Sequence, residues 1–171
     1  MNLLDRIWAL ADDVAASGKT KTALFGECGL FLQRPLVRYD YFCTPLNTLT
    51  FASTGGDGVH YGLLLVDEVA YDQLPIVMTV PMSDLHNIVV AEDLMEFLGI
   101  GYHVGWFCLE QLAYDANWTV SYFSKSDSET WLDKEEELRL IREKLSIRYI
   151  PLSLNRIKNL NEKYLSLLQS S

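Results

Sequence analysis

Leu3, Leu4, Ile7, Trp8, Ala11 and Val14 recur at helical spacing, and Asp5, Arg6, Asp12 and Asp13 fall between them. This pattern predicts an amphipathic helix over residues 2–17, stopped by Ser17-Gly18. Residues 19–35 mix Gly26, Gly29 and apolar side chains without a firm period, which predicts irregular or short helical structure. From Val37 the chain turns β-branched and aromatic, and four runs read as strands: 37–42, 48–53, 59–66 and 76–80. Between the second and third, Thr54-Gly55-Gly56-Asp57-Gly58 supplies glycines that permit positive φ and an Asp-Gly pair, a strong hairpin signal. Leu63, Leu64, Leu65 and Val66 leave no polar face, as expected of a strand covered on both sides.

Asn87-Ile88-Val89-Val90 reads as a further short strand, and Glu92 and Asp93 open a helix that buries Leu94, Phe97 and Leu98 and ends at Gly99 to Gly101. A second short helix is predicted over residues 106–114, followed by a polar linker at 124–128. Ser126-x-x-Glu129 has the form of a capping box, after which Trp131, Leu138, Ile141 and Leu145 mark one face of a charged helix broken by Pro151. A last helix from Ser153 aligns Ile157, Leu160, Tyr164 and Leu168. Helices before and after an antiparallel sheet make an α+β fold. We expect one domain over residues 1–171: an α+β body, 1–125, and a C-terminal helical extension, 126–171, packed on it.

Composition changes this picture in one respect. Hydrophobic residues at 49% and charged residues at 22% are ordinary for a globular chain, but 14 Lys+Arg against 23 Asp+Glu gives a net charge of -9. That balance argues against nonspecific binding to nucleic acid or anionic membranes, which needs basic surface. The charge is also uneven. Residues 133–171 hold 8 basic and 6 acidic side chains, a net of +2, whereas residues 1–132 hold 6 and 17, a net of -11. Tyr39 to Ser124 is an 86-residue interval with 11 acids and no Lys or Arg. An odd set of cysteines, Cys28, Cys43 and Cys108, without CxxC spacing, fits a reducing cytoplasm. Acids near the N-terminus and the lack of any apolar run approaching ~18 residues argue against export and membrane spanning. Asn117-Trp118-Thr119 matches a glycosylation acceptor, a pattern short enough to arise by chance.

Candidate chemistry is sparse. The Gly55 to His60 segment has no Lys and no following helix to receive a phosphate, and Asp57 would repel one, so a tight turn is the better reading. Asp57 and His60 with His86 or His103 lack the spacing of a metal site, and no metal or cofactor is expected. Cys28 follows Glu27, which should raise its pKa, and Cys43 and Cys108 sit in apolar surroundings. Glu92 and Glu96, four apart, read as a solvated helix face before they read as an acid-base pair. Tyr102, Trp106, Phe107, Tyr114, Trp118, Tyr122 and Phe123 read mostly as core, although Tyr and Trp beside acids also build protein-binding surfaces.

Residues 50–64, with the sequence TFASTGGDGVHYGLL, followed by Pro75-Ile76-Val77-Met78 and the helix at Glu92-Asp93-Leu94-Met95-Glu96-Phe97-Leu98, resemble the core of the SUKH superfamily. That superfamily includes domains related to a yeast cell-wall synthesis regulator and many bacterial immunity proteins. The resemblance spans about residues 48–112, and the C-terminal helices are additional to it. It implies a noncatalytic α+β binding domain, commonly an antitoxin that blocks a toxin, and carries no catalytic residues to this chain. With the acidic interval, the expectation is a protein that binds a basic partner protein, such as a toxin domain, through Asp57, His60, Asp67, Glu68, Asp72, Asp84, Glu92, Asp93 and Glu96. The alternatives are an enzyme or small-ligand binder with a pocket near the Gly55 to His60 turn, and a scaffold whose C-terminal helices pair between subunits.

Overall fold

The computed structural model describes residues 2–18, 23–125 and 134–170. The capping box at Ser126, most of the 124–128 linker, and Trp131 lie outside the described residues. Helix α1, Leu3–Ser17, begins where the Asn2 side chain accepts the Asp5 amide and ends where Gly18 turns left-handed at φ 63°. Its stripe of Leu3, Leu4, Ile7, Leu10 and Val14 is buried. A single turn, α2 (Leu24–Glu27), leads into the sheet.

Five strands, β1 (Phe31–Val37), β2 (Thr48–Ser53), β3 (His60–Leu64), β4 (Ile76–Thr79) and β5 (Asn87–Ala91), pair in chain order, each antiparallel to the next. With the helices around it this is an α+β fold. The first strand lies earlier than its composition predicts. Residues 31–37 form it despite Pro35, because an edge strand tolerates a missing N–H, and pairing with β2 is irregular between Leu32 and Val37. Beyond Val37 the rest of the predicted run, 38–42, leaves the ladder, and its Tyr39 and Tyr41 pack against His60 instead.

On one face of the sheet Tyr61, Leu63, Met78, Ile88 and Val90 join α1 and α3 (Leu94–Ile100) in the main core. Phe97 packs edge-on to Phe51 at 5.5 Å and against Trp106 at 6.2 Å, and the Trp106 ring N–H donates to the Phe97 carbonyl at 3.0 Å. Each such side chain contributes roughly 1.5–3 kcal/mol through burial. The segment predicted as a helix at 106–114 is a 3-10 turn, Phe107–Ala113, and a further helix, α4 (Ala116–Phe123), follows it with Asp115 as its cap.

The other face explains the polar-free run in β3. Leu64, Val77 and Val89 are covered by Leu160 of α6 (Leu154–Tyr164), which follows α5 (Glu135–Leu145). Asn161 supplies what a sixth strand would: its Oδ1 accepts the Val89 N–H at 2.9 Å and its Nδ2 donates to the Val89 carbonyl at 3.0 Å. The β5 edge is thereby blunted. Beyond α6 the chain laces to the β1–β2 connection, where the Leu46 amide donates to the Gln169 carbonyl at 2.8 Å.

Candidate interaction surface

Successive connections of an antiparallel meander emerge at alternate ends. The β2–β3 turn and the β4–β5 loop therefore share one end, and the β3–β4 connection lies at the other. The turn closes through the Thr54 amide on the Val59 carbonyl and the Val59 amide on the Gly56 carbonyl, both at 3.1 Å. Gly55, Asp57 and Gly58 have φ of 82°, 50° and 72°. At Gly58 glycine is needed twice over, since a Cβ would also lie 2.7 Å from the Tyr41 ring.

Beneath that ring lies His60, only 1% exposed, with Tyr41 stacked at 5.6 Å and Tyr39 tilted at 5.0 Å. A carbonyl only accepts, so the 2.7 Å contact with the Gly58 oxygen places the proton on Nδ1, and Nε2 at 3.1 Å accepts from the Thr44 hydroxyl. Burial pushes the His60 pKa below its ordinary value. The expectation that His60 belongs to an exposed partner surface is thus corrected: it is a buried residue, hydrogen-bonded at both ring nitrogens, that holds the β1–β2 connection to the sheet. Above it Tyr39, Tyr41, Ser53 and the 55–59 turn enclose a shallow concavity of about 220 Å³.

The predicted acids divide among three places. Asp57 and Asp84 are exposed at the turn end. Glu110, from the 3-10 turn, joins them. Partial burial raises its pKa, and the Asp57 charge raises it further. The Ser83 hydroxyl donates to the Ala113 carbonyl at 3.3 Å, tying the β4–β5 loop to the segment that carries Glu110 and leads to Asp115. Met82 on this loop is 77% exposed, and on the segment that follows Ala113 Tyr114 and Trp118 are exposed at 55% and 45%. Glu110, Asp115 and Met82 were not among the predicted site residues. Glu110 and Asp115 share the base-free interval with the chosen acids, but only the fold shows which of its members meet.

Asp67, Glu68 and Asp72 lie at the opposite end. Asp67 and Glu68 are exposed, whereas Asp72 accepts the Leu3 N–H at 3.1 Å and so caps the start of α1. Glu92, Asp93 and Glu96 form the β5–α3 corner. Asp93 caps α3 by accepting the Glu96 amide at 2.7 Å, and Glu96, 8% exposed, accepts the Glu92 amide at 2.6 Å. Arg156 donates to Glu96 at 2.7 and 2.9 Å and to Glu92 at 2.8 Å, while Lys163 and the Tyr164 hydroxyl also donate to Glu92. Lys163 first, then Arg156 and Tyr164, hold the Glu92 carboxyl down to about 2. The reading of Glu92 and Glu96 as a solvated helix face is corrected, because Glu92 precedes α3 and both bind α6.

Burial pushes the Cys28 thiol up to about 12 and also raises Cys43 and Cys108, the direction opposite to thiolate activation. A mainly apolar cavity of about 400 Å³ lies beside Cys28, Phe31 and Phe107, with Glu27 and Lys134 paired in its lining. Among the described residues, no group of three or more His, Cys, Asp or Glu is placed to hold a metal ion, and no helix is long and apolar enough to cross a membrane. The fold thus defines an α+β protein built on a five-stranded antiparallel meander, with an acidic, aromatic-bearing end. No protein-family model matches the chain, and neither does any curated protein or solved structure compared with it.

Proposed function

We propose that this protein is a noncatalytic binding module, an immunity protein of SUKH type or a relative, that engages a basic partner protein through the turn end of its sheet. One observation carries the reading: Asp57, Asp84 and Glu110 stand with exposed Met82, Tyr114 and Trp118 on segments that contain no Lys or Arg. Exposed Trp and Tyr supply the apolar anchor typical of protein interfaces, and unopposed carboxylates accelerate encounter with a positive surface. A toxic nuclease, whose substrate cleft must be basic, is the partner class this charge suits best. The Glu110 carboxyl, disfavoured as an anion by burial and by Asp57, is relieved by an incoming cation.

The test is capture by the immobilised chain from the cell that makes it, at low and then raised salt, with Asp84→Lys and Glu110→Lys in parallel. A basic protein retained at low salt, released by salt and lost by both variants is the expected result. Retention indifferent to salt, or equal in the variants, overturns the proposal.

A further inference from the structure

We infer that the concavity beside the β2–β3 turn is a receiving site for one arginine side chain of the partner. The inference rests on the basic-partner reading above and narrows it to a ligand group. Two tyrosines, Tyr39 and Tyr41, and one carboxylate, Asp57, line a space of about 220 Å³ whose lining, among the described residues, contains no base. Tyrosine rings attract cations through their negative faces, and a planar guanidinium both lies on a ring and sends N–H groups sideways to a carboxylate. An ammonium group satisfies only the charge. An anion is repelled by Asp57, and a metal ion finds a single carboxylate where it needs several ligands.

The site is held in place before any ligand arrives. Gly58 lets the Tyr41 ring lie directly on the turn, where any Cβ would collide with it. His60 supports both tyrosine rings from below and is itself fixed by Gly58 and Thr44. Tyr39 donates its hydroxyl to the Gln33 side chain at 3.2 Å. Asp57 sits in the left-handed region between glycines, exposed and without an ion pair among the described residues. Arg38, the base nearest in sequence, is engaged by Asp40 at 3.5 Å and by the Thr44 carbonyl at 3.1 Å. Order in the tyrosines and the turn lowers the cost of fixing a flexible arginine.

The probe is N-acetyl-arginine amide, titrated into the ¹⁵N-labelled full chain and followed by NMR, with N-acetyl-norleucine amide as the uncharged control. Saturable shifts at the amides of Tyr41, Asp57 and Gly58, produced by the arginine amide alone, are expected. Asp57→Asn should abolish saturation, Tyr41→Phe should keep it, and Tyr41→Leu should weaken it about threefold or more. Equal shifts from norleucine amide, no saturation, or an unchanged response in Asp57→Asn would overturn the site. Full partner affinity in Asp57→Asn, beside loss in Asp84→Lys, removes the arginine site and leaves the basic-partner reading. Saturable arginine binding with no salt-sensitive protein captured removes the basic-partner reading and leaves the site.

Discussion

At the β5–α3 corner, Glu92 and Glu96 face Arg156, Lys163 and Tyr164, residues 60 to 72 positions away along the chain. At the turn end, Asp57, Asp84 and Glu110 have no ion-pair partner among the described residues. Both regions come from the same base-free interval, yet only the second presents its charge. Acid density along a sequence therefore measures a total, and the fold decides how much of it is spent internally. The C-terminal helices do that work: α6 brings the bases that the interval lacks and uses them to dock across β5.

Removing α6's central cation should have the largest effect. Arg156→Ala leaves Glu96, 8% exposed, without its charge partner. We expect a loss of about 2 kcal/mol, less than a fully buried pair because Arg156 itself is partly in water. Asp84→Lys at the turn end should change stability by about 0.5 kcal/mol at most. Urea unfolding of both variants measures the difference, and equal losses would erase the distinction between the two acidic regions.

Partner binding should invert that order. Glu110→Lys and Asp84→Lys are each expected to weaken association about tenfold, mainly through slower encounter at low salt. Asp67→Lys, at the opposite end of the sheet, and Glu143→Lys, in the C-terminal extension, should each cost about twofold or less. Surface-immobilised kinetics at two salt concentrations compare all four. A larger effect at Asp67 than at Asp84 would move the interface to the other end.

Much of the fold was legible because its signals are local. Helix α1, the β2–turn–β3 hairpin and the two-sided burial of β3 follow from periodicity, glycines and an unbroken apolar run. β1 lies earlier than composition predicts, because nothing in the 37–42 run shows that Tyr39 and Tyr41 are taken up by His60. α4 is not legible, because Tyr114, Trp118 and Tyr122 make no clear apolar stripe and Asp115, its cap, reads as one more acid of the interval. The site was half legible. That acids and aromatics matter was readable, but their grouping follows strand order, which sends Asp57 and Asp84 to one end and Asp67, Glu68 and Asp72 to the other. His60 stands in the most motif-like segment and is buried support: alternation in β3 puts it on the face opposite Tyr61, where Tyr39 and Tyr41 from the distant β1–β2 connection cover it.

Acid titration separates the two regions again. Glu92 lies below its ordinary 4.5, at about 2, so its contribution to stability is complete above 4.5 and is lost as pH falls toward 2. Glu92→Gln should flatten this part of the acid unfolding curve, followed by circular dichroism at fixed urea. An acid limb as steep in the variant as in the parent would mean that the α6 contacts do not favour the ionised carboxylate.

Glu110 should behave in the opposite sense, and by the smallest amount. Its pKa is raised, first by burial and then by Asp57, so the folded state binds a proton more readily than the unfolded chain. The protonated form's advantage is present at low pH and disappears as pH rises through the folded value, leaving a charged Glu110 mildly unfavourable at neutral pH. Glu110→Gln removes the charge and keeps nearly the same shape, so it should stabilise the free protein by roughly 0.5 kcal/mol near pH 7. The same change should weaken partner binding, because the unfavourable charge is the one the partner relieves. Thermal unfolding and binding measured on one preparation test both halves. A gain in stability with no loss of binding would place Glu110 outside the interface, and a loss of stability would show that its carboxylate makes a favourable contact in the free protein.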